Sequence, residues 1–110
     1  MADFLPQQGG VSADQILKAV AEHYDIEPDR LLARDRSREV ALPRQVAMYL
    51  IREDTDSSLP EIGDVLGGRD HTTIMYGCDK ISDLIETDDG LRRQVKSIRE
   101  TMYRRQPRLA

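Results

Sequence analysis

LPEIGDVLGGRDHTTIMYGCDKI, residues 59–81, places two helical patterns on either side of a glycine pair. Before the glycines, Leu59, Ile62 and Leu66 recur at helical spacing, and Ser58 with Glu61 three positions later has the form of a capping box. Pro60 falls in the first turn, where its missing amide hydrogen costs nothing. Gly67 and Gly68 supply the stop. Past them, Asp70 is placed to cap a second helix whose Ile74, Cys78, Ile81 and Ile85 fall at i, i+4, i+7 and i+11, one apolar stripe facing a core. A helix of about two turns, a glycine turn and a longer helix make a helix-turn-helix at about residues 58–87, a unit whose second helix is shaped to enter a DNA major groove.

The same periodicity extends outward. Ser12 with Gln15 opens a first helix over about 12–24, carried by Ile16, Leu17, Val20, Ala21 and Tyr24. EPDRLLA reads as a short second helix with Pro28 in its first turn, and RDRSRE as a basic loop after it. Val46, Ala47, Leu50 and Ile51 predict a third helix from about residue 41, with Pro43 near its start. A last helix, capped by Asp88 or Asp89, carries Leu91, Val95, Ile98 and Met102 and fades at Pro107. No alternating strand pattern competes, so the expected fold is all-α with about six helices. The expected boundaries are a flexible leader or linker remnant over 1–10 and one helical domain over 11–106.

The 110 residues suit one small domain with a single modest core. No apolar run approaches the ~20 residues of a membrane span, the first ten residues lack the form of a secretion signal, and the lone Cys78 has no internal disulfide partner. These features fit a reducing cytoplasm. The net charge of −4 argues against nucleic acid at first sight, but its distribution does not. Residues 30–45 carry +3 and residues 91–110 carry +6, on either side of an acidic stretch of −8 over 46–90. Local basic patches therefore survive an acidic total. The last segment, with Arg99, Arg104, Arg105 and Arg108, reads as a solvated helix face, with extra phosphate contacts or a protein contact as alternatives.

GGRDHTT, residues 67–73, sets a carboxylate, an imidazole and two hydroxyls side by side. A hydrolytic cluster of Asp70, His71 and Cys78 fails on geometry: Cys78 sits on the apolar stripe two turns beyond His71, and no metal-ligand spacing accompanies them. Adjacent groups in a first helical turn fan outward, as a base-reading tip requires. On a wheel centred on Ile74, Thr72 and Tyr76 point nearly opposite the core, Thr73 and Lys80 lie to one side, and Asp70 and His71 stand at the tip. A carboxylate accepts from a cytosine amino group, a threonine methyl packs on a thymine methyl, and hydroxyls and Lys80 reach phosphate oxygens. Asp70 equally reads as a plain cap, and Arg69 has no assigned role beyond its turn. Gly77, in mid-helix, points to a close helix–helix approach.

Residues 59–81 with RSREVALPRQVAMYL, residues 36–50, resemble the C-terminal DNA-binding domain (domain IV) of the DnaA family of bacterial chromosomal replication initiators. The resemblance runs from about Ser12 to Tyr103 and implies a TrpR-like helical fold. It further implies that Arg36 enters a minor groove and that Pro60, Asp70, His71 and Thr72 read the major groove. Arg34, Arg38, Arg44, Gln45, Thr73 and Lys80 would then hold the DNA backbone. The partner implied is double-stranded DNA carrying a DnaA box, bound by a monomer in the nucleoid-associated cytoplasm, with other DnaA domains as partners in a full-length protein. A stand-alone regulator or transcription factor on the same boxes is the alternative. Asp35, Glu39 and Leu42 stand where relatives often carry more positive charge, which predicts weaker binding with strong salt dependence. The chain has no phosphate-binding GxxxxGK[ST] loop, so no enzyme activity and no cofactor are expected of it; ATP would belong to the separate ATPase domain of a full-length relative.

Overall fold

The computed structural model describes residues 11–34 and 37–105 of the chain; the expected leader over 1–10 and the fading of the last helix at Pro107 lie outside the described residues. Six helices follow in order: α1 Ala13–His23, α2 Pro28–Leu32, α3 Arg38–Asp54, α4 Leu59–Val65, α5 His71–Thr87 and α6 Asp89–Arg105. The described residues contain no strand, as the periodicity predicts.

The capping signals form as read. The Gln15 amide donates to Ser12 Oγ at 3.2 Å while the Ser12 amide donates to Gln15 Oε1 at 2.7 Å. Ser58 and Glu61 repeat the exchange at 3.3 and 2.7 Å. Asp88 caps α6 by accepting from the Leu91 amide at 3.0 Å. Each box satisfies amides that the first helical turn leaves without partners.

The α3 start is a correction. The helix begins at Arg38, not near 41, so Pro43 is its sixth residue and the basic loop is shorter than expected. Ser37 takes the N-cap position, its carbonyl accepting from the Val40 and Ala41 amides at 3.2 and 3.1 Å. The fully buried Val40 gives this extra turn an anchor in the core, which offsets the carbonyl that Pro43 leaves unpaired one turn back.

α3 and α5 form the central pair, with α4 against α5, α1 against α3, and α6 closing over α1 and α5. The stripes meet as expected: Ile16, Val20, Leu50, Ile51, Ile62, Leu66, Ile74, Ile81 and Ile98 are at most 1% exposed. A Cβ on Gly77 would lie 2.4 Å from Met48 Sδ, which explains the glycine in mid-helix. Tyr24 ties α1 to α6 by donating to Gln94 Oε1 at 2.7 Å. Across the far end, Arg99 pairs with Asp54 at 2.9 and 3.1 Å, and Tyr103 donates to the same carboxylate.

The turn between α4 and α5 depends on glycine for space. Gly67 at φ +80° follows the C-cap Leu66, and the Gly68 amide donates back to the Gly63 carbonyl at 2.9 Å, the six-to-one bond of a Schellman end. The Arg69 amide shares that acceptor at 3.0 Å, so the chain folds directly onto α4. A Cβ on Gly63 would stand 2.0 Å from the Arg69 carbonyl oxygen. That neighbour is backbone and cannot rotate away. Gly63→Ala is therefore expected to destabilise the domain by about 1–3 kcal/mol despite alanine's better helix propensity; an unchanged denaturant midpoint would contradict this packing.

Candidate nucleic-acid interface

The tip of α5 is built by Asp70. Its carboxylate accepts from the Thr73 amide at 2.9 Å, which caps the helix and leaves His71, Thr72 and Thr73 exposed on its first turn. That hydrogen bond, with smaller help from the Thr73 side chain and the His71 charge, holds the Asp70 carboxyl below the usual carboxylate range. The tip therefore presents a charged acceptor and two hydroxyls beside the positive end of a helix dipole.

The tip borders a hollow with three arginines in its lining. Arg34, Arg44 and Arg69 line one polar hollow together with Gly67, Gly68, Asp70 and Thr73. Arg34 is exposed there, in the segment after α2. Arg69, which the sequence left without a role, points its guanidinium back at the end of α2 and α4. It donates to the carbonyls of Leu32, Ala33 and Leu66. Burial, and secondarily the nearby Arg34 charge, push its guanidinium below the ordinary value, although an arginine remains cationic under any working condition.

Arg44 also serves the fold. Expected at the DNA backbone, it is only 8% exposed and donates to the carbonyls of Leu31 at 3.0 Å, Arg30 at 2.9 Å and Ala33 at 3.1 Å. A guanidinium so engaged serves the fold before it serves a phosphate. The reason is the five-residue length of α2: a helix that short has nearly all its carbonyls free at its C-terminal end, and cations suit that end.

The other expected contact residues divide by position. Arg38 is exposed in the first turn of α3, Pro60 is exposed in the first turn of α4, and Lys80 is exposed two turns beyond the tip on α5. Gln45 is half-buried beside Gly77, where α3 crosses α5. Arg36 lies outside the described residues. Arg34, Asp70 and Thr73 meet around the one hollow, whereas Pro60 and Lys80 do not line it. Of the three departures in the basic region, Glu39 faces Arg30 at 3.3 Å, Leu42 packs against the core, and Asp35 lies outside the described residues. Cys78 is buried at 3% exposure, its thiol pushed up chiefly by burial, and it faces the core, away from the exposed His71.

The sequence matches the family described as bacterial dnaA protein helix-turn-helix over residues 13–81. The chain belongs to the DnaA family. It is 59% identical over 102 residues to the chromosomal replication initiator protein DnaA of Chloroflexus aggregans, covering 91% of this chain and 21% of that protein. Against the DnaA of Herpetosiphon aurantiacus it is 53% identical over 93 residues, and against that of Oenococcus oeni 47% over 94, covering 84% and 86% of this chain. The chain thus spans about a fifth of the length of these DnaA proteins. Among solved structures, one titled as the crystal structure of a DNA replication initiation factor superposes with a TM-score of 0.72 at 21% identity, over 86% of this chain and 30% of that one, which places the fold. Residues 13–81 end at Ile81, so the match holds α1 to α4, the turn and most of α5.

Two capping carboxyls in this DnaA domain are shifted in the same direction. Glu61 is held below the usual range by its hydrogen bonds with Ser58, as Asp70 is by Thr73. A carboxylate depressed in the folded state stabilises that state above its ordinary pKa, and the contribution disappears as pH falls through the depressed value. Thermal stability is therefore expected to hold down to about pH 4 and decline below it. Asp70→Asn, which keeps a cap acceptor without the titration, should make that decline shallower; an identical acid limb in both proteins would refute the role of Asp70 in it.

Proposed function

We propose that this domain binds double-stranded DnaA boxes at a replication origin as the DNA-binding part of a replication initiator. The observation that carries the reading is the exposed, capped tip of α5 standing beside the arginine-lined hollow. A tip with a fixed acceptor and freely exposed threonines suits base edges, and the cations next to it suit the phosphates that flank them. Asp70, His71 and Thr72 supply the major-groove readout, with Pro60 at the edge of the same groove. Arg36 enters the neighbouring minor groove, where A·T-rich DNA is narrow and strongly negative. Arg34, Arg38, Gln45, Thr73 and Lys80 hold the backbone. Arg44 is left out of this set because its guanidinium is occupied inside the fold.

The net charge of −4 keeps non-specific attraction low. Discrimination then rests on the few contacts at the tip and the loop. The domain binds as a monomer, because a DnaA box is short and asymmetric and asks for no twofold partner. In a full-length protein the ATPase domain and the other DnaA domains join it in the nucleoid.

Titration of a labelled duplex by fluorescence anisotropy tests the reading. A box duplex should bind far more tightly than a shuffled one, with affinity falling steeply as salt rises. Equal affinity for both would remove sequence recognition altogether. Within that assay, Thr72→Ala should cost about 1–3 kcal/mol on the box and relax the preference at one thymine, and Arg36→Ala should lose a similar amount concentrated at A·T pairs. Uniform weakening on every duplex would reduce both residues to backbone contacts.

A further inference from the structure

Tyr76 is 63% exposed, the most exposed of the large hydrophobic side chains in the described residues. Its phenol has no hydrogen-bond partner among those residues. A single exposed tyrosine is ordinary on a protein surface, so its position is what matters. It stands four residues after Thr72 on α5, which turns it by only about 40° from that threonine and moves it about 6 Å along the helix axis. Lys80 lies four residues further, about 12 Å from Thr72, which is roughly the width of a major groove. Thr72, Tyr76 and Lys80, all exposed, thus form one row from tip to rim.

The next residues on the outward face are acidic. Asp79 and Asp83 are exposed there, one and two turns past Tyr76. Phosphates would repel that part of α5, which favours entry tip first, with Lys80 at the flank where a phosphate wall would stand. Tyr76 is the last exposed uncharged side chain on this face before Asp79, and it is longer than either threonine.

From this row we infer that Tyr76 is a base-reading residue of the recognition helix, its ring against a thymine methyl or its hydroxyl on a base edge. The inference rests on the proposed DNA-binding function. Within it, Tyr76 sets discrimination at a base pair next to the one read by Thr72. A phenol is suited to this: the ring packs on a methyl, and the hydroxyl both donates to and accepts from base edges.

The test uses the duplex that the wild-type chain selects from a randomised pool, and a shuffled duplex of the same composition. Tyr76→Ala should bind the selected duplex about tenfold more weakly while leaving the shuffled duplex within about twofold. Tyr76→Phe divides the contact: affinity like wild type assigns it to the ring, and affinity like Tyr76→Ala assigns it to the hydroxyl. Because the side chain is exposed, both variants should melt as wild type does. Unchanged affinity of Tyr76→Ala for the selected duplex, or an equal loss on both duplexes, would overturn the inference alone. Failure of the wild type to prefer any duplex would overturn the proposed function, and this inference with it.

Discussion

Four consecutive carbonyls at the end of α2, from Arg30 to Ala33, are held by two arginines that come from different parts of the chain. Arg44 reaches Arg30, Leu31 and Ala33 from α3, and Arg69 reaches Leu32 and Ala33 from the turn before α5. Without them a five-residue helix would end on free, partly buried acceptors, a costly arrangement. With them, α2, α3 and the helix-turn-helix share one junction. Gly67 is part of it: a Cβ there would stand 2.1 Å from the Leu32 carbonyl oxygen, so the turn rests directly on the end of α2. The basic segment leaves from this junction at Arg34, and the tip of α5 starts from it at Asp70. The segment at Arg34 and the tip of α5 therefore have a common base, tied together by hydrogen bonds that carry charge.

This junction also resolves the charge balance. An acidic chain bearing arginines at its interface must divide them between structure and binding. Arg44 and Arg69 are committed to carbonyls, and Arg30 to Glu39 at 3.3 Å. Arg34 and Arg38 remain exposed around the hollow and the start of α3. The committed cations still contribute field, because a carbonyl neutralises no net charge. The positive field at the junction thus exceeds what the exposed arginines supply by themselves.

Much of this was legible in the sequence. Stripes such as Ile74, Cys78 and Ile81, and boxes such as Ser58 with Glu61, are local rules, and local rules are written at spacings of three and four. Asp70 was readable for the same reason: its partner is three residues away. Arg69 was not, because its acceptors Leu32 and Ala33 lie 37 and 36 residues distant. The one signal was its isolation, as the sole base between Arg52 and Lys80. The carbonyl bonds of Arg44 were equally out of reach, because its acceptors on Arg30, Leu31 and Ala33 lie 11 to 14 residues away. The α3 start was displaced by Pro43, which suggests a boundary to a sequence reader, whereas the burial of Val40 draws one more turn inward.

The clamp on α2 holds Arg34 and the tip of α5 in register, and a double-mutant cycle between Arg69→Lys and Arg34→Ala on box affinity reads that coupling. Lysine keeps the charge beside Arg34 but lacks the fork that reaches carbonyls on α2 and α4 together. If the clamp sets the register, Arg34→Ala should cost clearly less in the Arg69→Lys background than in the wild type, because Arg34 has already lost its place. Additive losses, with Arg34 equally valuable in both backgrounds, would show that the clamp sets no such register.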